Sequence, residues 1–175
     1  MKLGDIYQNL TLFQIKTKFP TGFSILNTKN QVFGLGWCQA GEKSNSTAYR
    51  PGDVITAMSG KTIEILNTDA EGRVVLADAL HYALTEFSPV AMLDLATLTG
   101  ACVVALGNHA TGLFTNDEKL CARVKSAAEA TSERAWELPL WDEHKKAIRS
   151  DVADIKNTGG RNAGASTAAA FLANF

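Results

Sequence analysis

The acidic pair Asp69 and Glu71 is the feature of this sequence best suited to chemistry. In extended backbone, side chains two residues apart point to the same side, so both carboxylates would face one place. Carboxylates brought together repel each other unless a cation neutralises them, which makes a divalent metal ion the natural partner. Arg73 follows, where its guanidinium would hold an anion or a developing oxyanion. The same residues also fit a plainer interpretation, a solvated acidic turn with Asp69 as a helix cap.

The segments around the acidic pair predict that it lies between a strand and a helix. Turn residues at 50–53 precede a predicted strand over residues 54–58, and a second strand covers residues 62–66. Apolar residues then recur at helical spacing over residues 74–87. In an α/β sheet, ligands bind at the edge where strands end and helices begin. This position suits a metal site, but acidic pairs of this spacing are common, and spacing alone favours the acidic turn.

The remainder of the chain alternates further predicted strands and helices. Residues 90–96 are almost continuously apolar, which predicts a strand buried on both faces. A strand is also predicted over residues 31–35, and helices over residues 117–134, 142–149 and 165–175. The inner face of the helix at 117–134 is predicted to carry Leu120, Val124 and Ala127. The fold class predicted from this alternation is α/β, a mixed β-sheet covered by helices.

Composition and charge limit the possible classes of function. The chain has 175 residues, with 17 basic and 18 acidic side chains and a net charge of −1. This balance gives no support to nucleic-acid binding. No apolar run has the length of a signal peptide or a membrane span, so we expect a soluble, cytoplasmic protein. Its three cysteines, Cys38, Cys102 and Cys121, are far apart and odd in number, so we expect reduced, buried thiols.

The segment around the acidic pair resembles the leucyl aminopeptidase (cytosol aminopeptidase) family. Residues 67–80 read NTDAEGRVVLADAL, a long and unusual match to the family's signature. The resemblance continues upstream in AYRPGDVITAMSGKTIEIL, from residue 48, and downstream in DLATLTGACVVALG, from residue 94. It extends through TGLFTND, ERAWELPLWDEH and SDVADIKNTGGRNAGASTAAAFLANF to residue 175. The resemblance therefore covers essentially everything after Asn45.

The resemblance implies roles for particular residues. Asp69 and Glu71 correspond to ligands of a two-metal centre, with Glu71 bridging both ions and Asp69 binding one. Arg73 resembles the family's catalytic arginine, which holds a bicarbonate ion. The backbone groups that receive the peptide's amino-terminal residue correspond to Thr97, Leu98 and Gly100. The implied cofactors are thus two divalent ions, zinc or manganese, with bicarbonate at Arg73.

The resemblance also implies an activity and partners. The family removes amino-terminal residues from peptides, with leucine-like side chains preferred, by metal-assisted hydrolysis. Peptides are therefore the expected substrates, and neither nucleic acid nor a membrane is an expected partner. Family members are homo-hexamers, but the resemblance does not decide the oligomeric state of this chain.

Part of the family's pattern does not appear in this sequence. The family draws further metal ligands and an electrophilic lysine from an upstream lysine- and aspartate-containing motif, and no such motif precedes Ala48. We therefore expect residues 1–44 to be a divergent segment and residues 45–175 to be a partial, truncated catalytic domain. Two carboxylates alone make a poor dinuclear site. The alternative to an aminopeptidase is accordingly a catalytically inactive relative, at most an interaction module.

Overall fold

The computed structural model describes residues 49–175 in full and, before them, the backbone of three strands. The strands are β1 (Thr11–Gln14), β2 (Phe23–Thr28) and β3 (Gln31–Gly36). They form an antiparallel sheet in the order β1-β2-β3, with Phe23 opposite Gly36. The strand predicted over residues 31–35 is confirmed as β3. Cys38 and the predicted domain boundary at residue 44 lie outside the described residues.

A short β-hairpin leads into the acidic pair. Its strands, β4 (Val54–Thr56) and β5 (Thr62–Glu64), confirm the two strands predicted there. In the turn before β4, the Asp53 N–H donates to the Arg50 carbonyl at 3.0 Å. The Asp53 carboxylate accepts a hydrogen bond from the Arg50 N–H at 2.6 Å. Gly52 has a φ of 97°, a left-handed conformation that explains why glycine follows proline in this turn.

Four helices confirm those predicted from the sequence, and a fifth, over Ala101–Leu106, was not predicted. The helices described are α1 (Glu71–Phe87), α2 (Ala101–Leu106), α3 (Glu118–Thr131), α4 (Asp142–Ala147) and α5 (Gly164–Leu172). Asp117 caps α3, because its carboxylate accepts hydrogen bonds from the N–H groups of Lys119 at 2.8 Å and Leu120 at 3.0 Å.

Two further strands, one before α3 in the sequence and one after it, pair with each other in parallel. These strands are β6 (Thr111–Leu113) and β7 (Ala135–Glu137), and together with α3 they make a β-α-β unit. The inner side of α3 carries buried Cys121 and half-buried Val124, whereas Ala127, predicted to face inward, is exposed. Ala128 is half-buried instead, while Leu120 and Val124 are half-buried as predicted, so the prediction is wrong only at its last position.

A third strand, β8 (Ile155–Lys156), completes a mixed sheet in the order β4-β5-β8. It pairs in parallel with β5, and Ile63 lies opposite Ile155. Because parallel strands run in the same direction, the chain leaving β5 and the chain leaving β8 emerge at the same edge. The mixed sheet with helices confirms the predicted α/β fold class.

The core lies between this mixed sheet and the helices α1 and α5. Ile63, Ile65 and Phe171 are fully buried in it, and Ile148 is almost so. Ile63 and Ile65 share one face of the hairpin, as their spacing predicts. The hairpin is also tied to α1, because the Asp78 carboxylate accepts a hydrogen bond from the Met58 N–H at 2.7 Å.

Residues 90–96 do not form the buried strand that their apolar run predicts. The chain after α1 is coil, in which Val90 is fully exposed and Leu95 is 77% exposed. Within the described residues, no hydrogen bond joins residues 90–98 to any other group. A strand exists only where a neighbour completes its ladder, and apolar composition alone provides no such neighbour. The strand prediction is therefore wrong for the described chain.

Candidate functional site

The acidic pair lies directly after the hairpin, in a 3-10 turn and at the start of α1. The turn spans Thr68–Ala70, and Asn67 before it is extended, with φ −134° and ψ 114°. The Asn67 side-chain oxygen accepts a hydrogen bond from the Asp69 N–H at 3.0 Å. Glu71 is the first residue of α1, where the partial positive charge of the helix amino terminus favours a carboxylate.

Two details of the sequence interpretation are wrong at this turn. The backbone is not extended between Asp69 and Glu71, so strand alternation does not bring the carboxylates to one side. In helical backbone, residues two apart do not face each other. Asp69 is also not the cap, since the chain becomes helical at Thr68 and leaves Asn67 as the last extended residue.

Both carboxylates are available to a ligand in the described part of the chain. Asp69 is exposed and Glu71 is half-buried, and neither accepts a hydrogen bond there. The ion pairs among the described residues lie elsewhere, between Lys125 and Glu137 and between Lys145 and Asp142. Carboxylate oxygens without another partner are the donors that hard divalent cations prefer.

Tyr49 lies within the electrostatic influence of Glu71. Burial raises the pKa of the Tyr49 hydroxyl, and the negative charge of Glu71 raises it further. The Tyr49 side chain also packs against the apolar core. A tyrosine hydroxyl is neutral at physiological pH and can donate a hydrogen bond, and the raised pKa extends that range. No feature of the sequence distinguished Tyr49 from an ordinary core tyrosine.

The described residues fit part of a metal site. Asp69 and Glu71 contribute oxygen donors, but no group of three or more His, Cys, Asp or Glu side chains converges anywhere in the described residues. A divalent ion takes about four to six ligands, so the pair cannot complete a coordination shell without water or further side chains. The acidic turn therefore fits as a contributor of ligands rather than as a whole centre.

Arg73 is buried in the first turn of α1. The residue is 8% exposed, and Nη1 donates a hydrogen bond to the Asn157 carbonyl at 2.9 Å. Nε is buried without a hydrogen-bond partner among the described residues. Burial lowers the pKa of the guanidinium, which nevertheless stays charged at neutral pH. An unpaired cationic donor is costly to bury, and an anion would satisfy it.

The residues predicted to receive substrate lie in a different part of the structure. Thr97, Leu98 and Gly100 belong to the coil before α2 and line a cleft of about 590 Å³. Leu80 of α1 and Leu172 of α5 also line this cleft. The acidic turn does not, so the described residues do not bring the two predicted groups into one cavity. The combined site stays a prediction.

Asn157 is a residue at the site that the sequence interpretation missed. It is fully buried directly after β8, and its side chain forms hydrogen bonds with the backbone of Leu66 and Asn67, the residues that follow the hairpin. A single asparagine after a two-residue strand gives no periodicity signal. Asn157 reaches the acidic turn only because β8 pairs in parallel with β5. The two strands are far apart in sequence, since the Thr62 N–H donates to the Asp154 carboxylate across 92 residues.

Comparison with known proteins places these features in a family. The family described as "Cytosol aminopeptidase family, catalytic domain" matches residues 24–175. A protein named "probable cytosol aminopeptidase" from Chlorobaculum tepidum is 60% identical over 129 residues, which are 74% of this chain and 26% of that protein. A protein of the same name from Syntrophotalea carbinolica is 59% identical over 131 residues, covering 75% of this chain and 26% of that protein.

A solved structure shows the same relationship. A mutant of tomato leucine aminopeptidase matches with a TM-score of 0.76 at 46% identity, covering 82% of this chain and 28% of that chain. The chain thus spans about a quarter of the length of the relatives that it matches. No helix in the described residues is both long and apolar enough to cross a membrane. With the family match covering most of its length, this chain belongs to the cytosol aminopeptidase family.

Proposed function

We propose that this chain contributes to a metal-dependent aminopeptidase that releases amino-terminal residues, leucine-like ones preferred, from peptides. The observation that carries the proposal is a pair of carboxylates at the end of the hairpin, Asp69 and Glu71, which accept no hydrogen bond from any described residue. They occur in a chain about 60% identical to proteins named as cytosol aminopeptidases. The same relationship supports a cytoplasmic location.

Asp69 and Glu71 would hold divalent ions, with Glu71 shared between two of them. When bound, zinc or manganese ions lower the pKa of a water molecule and polarise the carbonyl that it attacks. Arg73 would bind an anion such as bicarbonate, since its buried Nε lacks a partner among the described residues. Thr97, Leu98 and Gly100 would receive the amino-terminal residue of the peptide.

The alternative of an inactive relative is not favoured by the comparisons, because the relatives carry the names of enzymes. Nothing in the charge balance of −1 favours a nucleic-acid partner.

Metal binding by the purified chain tests the ligand roles first. Titration with Mn²⁺ in a calorimeter is expected to show saturable binding that Glu71→Gln weakens at least tenfold, about 1.4 kcal/mol or more. Glu118→Gln is the control, because Glu118, like Glu71, is the first residue of a helix, and it is exposed and distant in sequence from the acidic turn. Equal loss in both variants, or no saturable binding by the folded chain, would contradict the proposal.

Hydrolysis of a leucyl chromogenic amide tests the activity. Turnover is expected to require Mn²⁺ or Zn²⁺, to stop with a chelator and to be absent from Glu71→Gln. Chelator-resistant turnover would exclude the proposed chemistry. Metal binding without any turnover would refute the activity of the chain by itself while leaving the ligand roles in place.

A further inference from the structure

We infer that Asn157 is the positioning residue that fixes the acidic turn and Arg73 relative to each other. The inference rests on the proposed function, in which the turn carries the metal ligands. Asn157 is fully buried, and it touches the hairpin exit through its side chain and Arg73 through its backbone. It acts through these residues and reaches no substrate itself.

The Asn157 amide binds the chain immediately before the acidic turn. Its Oδ1 accepts hydrogen bonds from the N–H groups of Leu66 at 2.9 Å and Asn67 at 3.2 Å. Its Nδ2 donates to the Asn67 carbonyl at 2.6 Å. Asn67 in turn accepts the hydrogen bond from the Asp69 N–H. The path of the chain into the first carboxylate is therefore set by one side chain.

The backbone of Asn157 makes two further bonds. Its N–H donates to the Glu64 carbonyl at 2.9 Å, which extends the pairing of β8 with β5. Its carbonyl accepts from Arg73 Nη1. One buried residue thus binds the chain before the acidic turn through its side chain and the Arg73 guanidinium through its backbone carbonyl.

The chemistry of these contacts requires an amide at position 157. Two N–H donors and one carbonyl acceptor face the side chain, and only an amide offers both an acceptor oxygen and a donor nitrogen in that shape. The side-chain atom that faces the Leu66 and Asn67 N–H donors must be the oxygen, and the atom that faces the Asn67 carbonyl must be the nitrogen. Aspartate would place a negative charge against the Asn67 carbonyl, and alanine would leave buried backbone groups without partners.

The test compares Asn157→Ala with Asn174→Ala, a control in which a half-buried asparagine amide donates to the Ala170 carbonyl at 2.8 Å. Native-state amide hydrogen exchange is measured at Leu66 and Asn67, with Ile65 as an internal reference because its N–H donates to the Asp53 carbonyl. Asn157→Ala is expected to speed exchange at Leu66 and Asn67 about tenfold relative to Ile65. Asn174→Ala is expected to leave that ratio unchanged.

Mn²⁺ affinity gives a second readout. Removing a group that orients metal ligands weakens metal binding about 10- to 100-fold, so Asn157→Ala is expected to raise the Mn²⁺ Kd by at least about tenfold. Asn174→Ala is expected to change it less than about twofold, even where it lowers the Tm as much. Equal effects of the two variants on Kd, or unchanged relative exchange at Leu66 and Asn67, would overturn the inference.

Asn157→Asp provides the second variant if alanine prevents folding. It removes the donor to the Asn67 carbonyl and places a negative charge against that oxygen. The repulsion is expected to loosen the chain at Leu66 and Asn67, so both readouts are expected to shift in the same direction as in Asn157→Ala. A wild-type chain that binds no Mn²⁺ would refute the proposed function, and the relative exchange rates would then decide the role of Asn157 by themselves.

Discussion

Gly159 lies against the buried face of α5, and replacing it with alanine is expected to destabilise the protein. A Cβ atom at position 159 would lie 2.7 Å from Thr167 Cγ2 and 2.8 Å from Thr167 Cβ. Thr167 is 1% exposed and sits in the middle of α5, so its Cβ moves only with the helix. The backbone of Gly159 is not in the left-handed region, so the whole cost is steric.

The size of the effect follows from the contact distances. Contacts below 3.0 Å require the loop or the helix to shift, and overpacking of this kind costs typically 1–3 kcal/mol. We therefore expect Gly159→Ala to lower the free energy of unfolding by about 2 kcal/mol, which corresponds to roughly 4–8 °C in Tm for a chain of this size. Thr167→Ala in the same chain should restore part of this, because it removes Cγ2 but leaves Cβ.

Urea unfolding followed by far-UV circular dichroism measures the change. Gly72→Ala is the matched control, since a Cβ there meets nothing within 4 Å and the residue is helical. It should stabilise α1 by a few tenths to about 1 kcal/mol. Opposite signs for the two glycine variants are the expected result. A Gly159→Ala protein as stable as wild type, or one that Thr167→Ala does not help, would refute the steric argument.

Three further perturbations follow from single contacts. Ile63→Val removes one fully buried methylene and should cost about 0.5–1.5 kcal/mol by urea unfolding, an expectation that an unchanged midpoint would contradict. Asp117→Ala removes the α3 cap and should cost about 1 kcal/mol, whereas Asp117→Asn should cost much less. Hydrogen bonds from the Thr62 backbone, then from its hydroxyl, lower the pKa of Asp154 below its unfolded value of about 3.9. The stabilisation is thus complete above about pH 4 and lost as pH falls further. The Tm difference between wild type and Asp154→Asn should shrink over that range, and a constant difference would exclude this role.

The elements that the sequence predicts well are those whose signals are local. The turn before β4 rests on Pro51 and Gly52, and α3 on Asp117 followed by apolar residues at helical spacing. Each of these depends on residues within one or two turns of each other, so no distant contact is needed to recognise them. The identities of the candidate ligands came from resemblance of a motif, since spacing alone favoured the solvated acidic turn over the metal site.

What the sequence could not predict depends on partners far along the chain. The run at residues 90–96 has strand composition, but composition does not state whether a neighbouring strand is available. The helical start at Thr68 replaced the extended backbone assumed for Asp69 and Glu71. Asn157 reaches the turn only because β8 pairs with β5, a contact that no window of the sequence contains.

The two halves of the candidate site differ in how firmly the described residues hold them. The acidic turn is fixed by Asn67 and by the three side-chain hydrogen bonds of Asn157. Thr97 and Leu98 belong to a coil in which residues 90–98 make no hydrogen bond within the described chain. Metal binding should therefore respond to changes at Asn157 and tolerate changes in the coil. Substrate binding requires, in addition, that the coil be held near the turn. The two functions are consequently separable by mutation, and the ligand roles of Asp69 and Glu71 stand or fall independently of the predicted substrate contacts.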